Sequence, residues 1–174
     1  MQIKYQQGVG LLEVLVALLL LAIAVLGFVA LQLRAVEATS EGFNRIQAMN
    51  IARDLSEKIR INNSAIAQYQ TQLSNQTNQK APGGTCYSGF CTPTAKAAFD
   101  VHEAYIQATN AGMTLNMITC PGTANGRRCI YVAWGKTDPV DTTATTTEHI
   151  ACTNSTSSGF SYNDASTCIV MEAY

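Results

Sequence analysis

Several residues of this 174-residue chain are of types and spacings that could do chemistry. Glu13 stands immediately before VLVALLLLAIAVLGFVAL, Val14 to Leu31, eighteen apolar or glycine residues without a charge. An ionised carboxylate in or beside hydrocarbon costs several kcal/mol unless a cation pairs with it, so Glu13 is either a functional group at a membrane or the interfacial end of a helix. Six cysteines, Cys86, Cys91, Cys120, Cys129, Cys152 and Cys168, all lie beyond the apolar run. An even count confined to that part suits disulfides formed in an oxidising compartment. Six thiols permit fifteen pairings, and the intervals favour neighbours: Cys86 with Cys91, Cys120 with Cys129, Cys152 with Cys168. No Cys-x-x-Cys occurs and His102 and His149 adjoin no ligand cluster, so no metal is expected.

The other polar candidates are thin. Arg127 and Arg128, with Tyr131, are the one hint of a nucleic-acid contact, and a solvated loop is the preferred reading of the arginines. Asp138 and Asp141 in KTDPVD hint at calcium, but an EF-hand loop needs more oxygen ligands and a distal glutamate, which leaves a capped turn. There is no GxSxG, HExxH, Walker lysine or GxGxxG, and two histidines without motif context do not make an acid–base site. No enzyme, cofactor or small-molecule substrate is expected. The net charge of −1 supplies no basic field, so nucleic acid is not an expected partner.

The elements that must position these residues follow from hydrophobic patterning. Eighteen residues at 1.5 Å each make a helix about 27 Å long, close to the hydrocarbon thickness of a bilayer. The run is too long for a secretory signal core, and LGFVALQLRAVEA continues as helix where a cleavage loop would stand. Lys4 in the polar MQIKYQQ start sits on the expected cytoplasmic side, opposed by Arg34 beyond the run. Further on, Ala48, Ile51, Ala52, Leu55 and Ile59 keep the spacing of one helical face, giving a single helix from Val9 to about Ile61. Thirteen of the twenty residues from Ile61 to Lys80 are Ser, Thr, Asn or Gln, which reads as a surface loop. A second helix starts near Pro93, capped by Thr92 or Thr94, shows Ala95, Ala98, Phe99, His102, Tyr105 and Ile106 on one face, and ends at Gly112. Strands follow at Met113 to Ile118 and Cys129 to Trp134, with a turn-rich, cysteine-closed hairpin between them. Two more are expected at Glu148 to Thr153 and from Cys168 onward, with polar loops at 135–147 and 154–167. The fold class is α+β, with an antiparallel sheet of about four strands.

Residues Gly8 to Val14, GVGLLEV, and the apolar run behind them resemble the type III signal of type IV prepilins, in which a short polar leader ends in Gly and Glu stands at the fifth mature position. Gly10 could also end a leader, but only the Gly8 frame puts Glu13 fifth. More narrowly, Glu13 to Gln32 is similar to the minor pilins of the PilV, or type IV pilus modification protein, family. The resemblance implies a pilin fold with a leader at 1–8, a hydrophobic helix and membrane segment at 9–33, an amphipathic half at 34–61 and a periplasmic head at 62–174. It also implies cleavage between Gly8 and Val9 by prepilin peptidase, N-methylation of Val9, and use of Glu13 in assembly and register. The expected partners are the major pilin, other minor pilins, a tip adhesin and the inner membrane. The implied function is priming of pilus assembly, supporting twitching motility and adhesion. A pseudopilin of type II secretion, a DNA-uptake pilin and a signal-anchored periplasmic binding protein remain as alternatives.

Overall fold

In a computed structural model of the chain, the described residues are 10–123, 125–142, 148–156 and 159–173. The first helix, α1 (Leu11–Ile61), runs unbroken for 51 residues. No proline interrupts it, and Gly27 and Gly42, each costing about 1 kcal/mol relative to alanine, are absorbed without a break. Contacts divide the chain into two compact units, 1–42 and 43–174, with the boundary inside the helix. Within the first unit the side chains from Val14 to Leu31 are exposed on every face. This stretch makes α1 the one helix among the described residues long and apolar enough to cross a membrane.

The second unit has its own core, to which α1 contributes Ala48, Ile51, Ala52, Leu55 and Ile59, all buried. Residues 61–80, read from composition as a loop, fold instead into a 3₁₀ turn (Asn63–Ala65) and two short helices, α2 (Ile66–Leu73) and α3 (Gln76–Lys80). The reason is a sparse apolar stripe: Ala65, Tyr69 and Leu73 recur every four residues and are buried, while the Gln and Asn side chains between them mostly coat the outside. Asn75 caps α3, its side chain accepting from the Thr77 N–H at 2.9 Å.

Helix α4 (Pro93–Asn110) starts with the Thr92 side chain accepting from the Ala95 N–H at 3.2 Å and Pro93 in the first turn. It ends before Gly112, whose φ of +69° is a left-handed value that favours glycine. The buried face is Ala97, Phe99, Asp100, Val101, Ala104 and Ala108, which shares only Phe99 with the expected stripe, and Ile106 is exposed. Small alanines and a buried aspartate, invisible to a count of large apolar residues, turn the helix by about one position.

Strands β1 (Met113–Thr119) and β2 (Arg128–Trp134) form the expected hairpin; β3 (Thr137–Asp141), β4 (Ile150–Thr153) and β5 (Cys168–Ala173) follow. The antiparallel sheet holds three described strands in the order β1-β2-β5, and β3 and β4 pair in parallel as a separate two-stranded sheet. β3 lies in the stretch read as a loop, because TDPVD contains a proline and little apolar surface. β2 is buried on both faces: Ile130, Val132 and Trp134 meet the helices, while Cys129, Tyr131 and Ala133 meet Cys120, Cys152 and Cys168. That double burial is why CIYVAW reads as an almost continuous apolar run.

Candidate functional site

Glu13 lies in the first turn of α1, where its N–H donates to the Gly10 carbonyl at 2.9 Å and the Val14 N–H reaches the same oxygen at 3.3 Å. A carboxylate there faces the positive end of the helix dipole. Its side chain is exposed, makes no ion pair among the described residues, and is followed directly by the apolar segment. Gly8 and Val9, the expected cleavage and methylation positions, lie outside the described residues. Among the described residues the site therefore consists of one charge at the mouth of an apolar helix, an arrangement suited to pairing with a cation.

The six cysteines join as Cys86–Cys91, Cys120–Cys129 and Cys152–Cys168, with Cα separations of 5.7, 4.9 and 5.8 Å. The second closes the β1–β2 hairpin. The third ties β4 to β5, and so one sheet to the other. Cys86–Cys91 closes a small loop ahead of α4 on which Tyr87 packs edge-on against Phe99, with ring centroids 4.9 Å apart, and Phe90 is fully exposed.

The order of these parts is matched by known families. Residues 3–29 match the prokaryotic N-terminal methylation motif, and residues 30–102 match the family model of type IV pilin Tt1218. No curated protein and no solved structure was found to match the chain. The two family matches support a type IV pilin. A long N-terminal helix, a head with a small antiparallel sheet, and three disulfides are the pilin fold.

The remaining sequence candidates take structural places in the head. Arg127 pairs with Glu172 at 2.7 Å, and Arg128, in β2, donates to Thr119 Oγ1 at 2.8 Å and the Gly126 carbonyl at 3.1 Å. Tyr131 cannot stack on a base: it is fully buried, shares a hydrogen bond with Thr153 at 3.1 Å, and burial pushes its phenol up to about 12. Asp138 pairs with His149 at 3.0 Å, and Asp141 accepts from the Ser155 N–H at 2.9 Å, so each carboxylate has a protein partner in place of a shared cation. His102 is half-buried, with Nδ1 3.0 Å from the Gln79 carbonyl oxygen.

Sequence reasoning missed a buried polar network in the head. Tyr69 donates to Asp100 Oδ2 at 2.6 Å, Lys96 pairs with Asp100 Oδ1, and Asn62 Nδ2 lies 3.4 Å from the Tyr69 hydroxyl. Asp100 is 1% exposed, so its charge is tolerated only because both oxygens are engaged. Burial, seconded by the hydrogen bond to Asp100, pushes the Tyr69 phenol far above its ordinary value. Ile66, Tyr69 and Leu73, spaced three and four apart in the polar stretch, were the signal available for half of this network.

Proposed function

We propose that this chain is a minor pilin of a bacterial type IV pilus, of the PilV kind, that takes part in priming pilus assembly and supports twitching motility and adhesion. The observation that carries the reading is Glu13 at the first turn of an exposed apolar helix, within a stretch matching the methylation motif. Prepilin peptidase removes residues 1–8, Val9 becomes the methylated N-terminus, and Glu13 then stands four residues from a cationic amine. In hydrocarbon the pair offsets the penalty of the lone carboxylate. The amine of a staggered neighbouring subunit serves equally well, which makes Glu13 a register device, as a buried polar residue is in a coiled coil.

Before assembly the helix holds the subunit in the inner membrane with the head, 62–174, in the periplasm, a placement that suits three disulfides. After extraction it joins other minor pilins, the major pilin and a tip adhesin. Intact-mass measurement of membrane-extracted protein tests the reading: a chain beginning at methylated Val9 is expected, and retention of MQIKYQQG refutes it. Co-purification with a type II secretion system in place of pili would reassign the subunit as a pseudopilin.

A further inference from the structure

A cavity of about 310 Å³ opens in the head between α2, α3, the end of α4, β1 and β3. Leu73, Met113 and Leu115, all buried, form its floor, the partly exposed Tyr105, Pro139 and Val140 line its sides, and cavities of this size hold small ligands or single side chains. Gln79, 4% exposed, stands in its wall. The Gln79 Nε2 donates to the carbonyls of Leu73 at 2.6 Å and Leu115 at 3.0 Å, which uses both amide hydrogens. Its Oε1 accepts no hydrogen bond among the described residues. Gln79 Oε1 is not sealed from water, and because Gln79 lines the cavity this acceptor is open to a donor that enters there.

The edge of β1 borders the same space. The Trp134 N–H donates to the Thr167 carbonyl, on the side of β2 away from β1. Met113, opposite Trp134, and Leu115, two residues on, are therefore at positions whose main-chain groups turn away from β2. The Leu115 carbonyl is held by Gln79, and the Leu115 N–H and Met113 carbonyl turn to the same side. Asp138, half-exposed and with Oδ1 paired to His149, adds a carboxylate at the rim.

An apolar lining, an open acceptor, a short run of strand edge and a carboxylate at the rim together favour one kind of guest. We propose that this cavity is a docking site for an extended peptide segment of a partner subunit. An apolar side chain of the guest fills the lining, a guest N–H bonds Gln79 Oε1, and a neighbouring Lys or Arg faces Asp138. An anion would be repelled by Asp138. That the guest belongs to a partner subunit rests on the pilin reading, whereas capture of a peptide by the head does not, so peptide binding and the intact mass of the mature chain can fail separately.

The probe is a phage-displayed random heptapeptide library, selected against the full-length chain in detergent micelles, with recovered peptides then synthesised and titrated by fluorescence anisotropy. The expected peptides pair an apolar residue with an adjacent Lys or Arg, and they lose at least tenfold in affinity for Thr109→Trp, which plugs the rim from an exposed position. Asp138→Asn is expected to weaken binding about threefold and to flatten its salt dependence. Gln79→Leu also breaks two internal hydrogen bonds, so Thr109→Trp carries the test. Failure to enrich any peptide, enrichment of acidic peptides, or affinities unchanged by Thr109→Trp would overturn the proposal.

Discussion

Replacing Tyr69 with phenylalanine isolates the most exposed assumption about the head, that a buried charge at Asp100 is held by two partners. The change deletes one hydroxyl and leaves the ring in place, so the loss is the hydrogen bond from Tyr69 to Asp100 Oδ2, 2.6 Å long, and the weaker 3.4 Å approach of Asn62. Hydrogen bonds to charged groups contribute about 1.5–3 kcal/mol. Lys96 still pairs with Oδ1, and Asn62 keeps its 2.8 Å bond to the Pro93 carbonyl, so neither group is wholly orphaned and a loss of about 2 kcal/mol is expected. For a head of this size that corresponds to a melting temperature roughly 6–10 °C lower. Trp134, the single tryptophan and 5% exposed in the head core, makes urea unfolding of the full chain readable by fluorescence. The midpoint should fall with an unchanged m-value. The double variant Tyr69→Phe/Asp100→Asn should cost less than the sum of the two single changes, because they share one bond. A loss under about 0.5 kcal/mol, or strict additivity, would show that Asp100 does not rely on Tyr69.

Three further outcomes are expected. The phenols of Tyr69 and Tyr131 are raised from 10.0, that of Tyr131 to about 12, so both states hold these protons below pH 10, whereas above it the unfolded chain releases them first and stability falls as pH rises. Ultraviolet titration should then show these two among the seven tyrosines ionising only as the head unfolds, and reversible ionisation of all seven near pH 10 with the fold intact would contradict it. The double change Cys152→Ala and Cys168→Ala opens a link of sequence separation 16 and should cost about 3 kcal/mol in the same urea assay; a cost under about 1 kcal/mol would mean the tie between β4 and β5 constrains little. On the proposed reading, Glu13→Ala is cleaved normally but fails to enter pili, and wild-type incorporation in purified pili would remove Glu13 from any role in register.

Where a pattern is local and strongly periodic, the structure could be read from the residues. The face from Ala48 to Ile59, the Thr92-Pro93 start and Gly112 end of α4, and the alternation of β1 are each specified within about a dozen residues. The misses share a different cause. The helices within 61–80 are held by a few buried groups, Tyr69 above all, whose partner Asp100 is 31 residues away, and composition alone registers only the polar background. β3 is a strand because β4 pairs with it and because Thr137 and Thr167 share a hydrogen bond at 3.0 Å across 30 residues, not because TDPVD favours extension. Tyr131 followed the same logic in reverse: an aromatic beside two arginines suggested an exposed contact, and strand alternation turned it inward against the disulfides.

On the proposed reading, Glu13 stands out in the sequence for a reason that does not depend on tertiary packing. Burial, hydrogen bonding and ion pairs explain Asp100 completely within the head, since each of its oxygens has a named partner. None of these explains Glu13, which is exposed on the first turn of a helix whose next eighteen residues are apolar or glycine. In water such a carboxylate would be unremarkable and the apolar residues the anomaly; in hydrocarbon the apolar residues are ordinary and the carboxylate needs a cation. Only the second environment fits the whole segment, because exposed Leu, Ile, Val and Phe occupy every face of the helix rather than one stripe. Four residues of helical rise amount to about 6 Å along the axis. An adjacent parallel helix displaced by that same rise presents its own terminal amine at the same height, so on the proposed reading a single carboxylate sets the axial step between subunits.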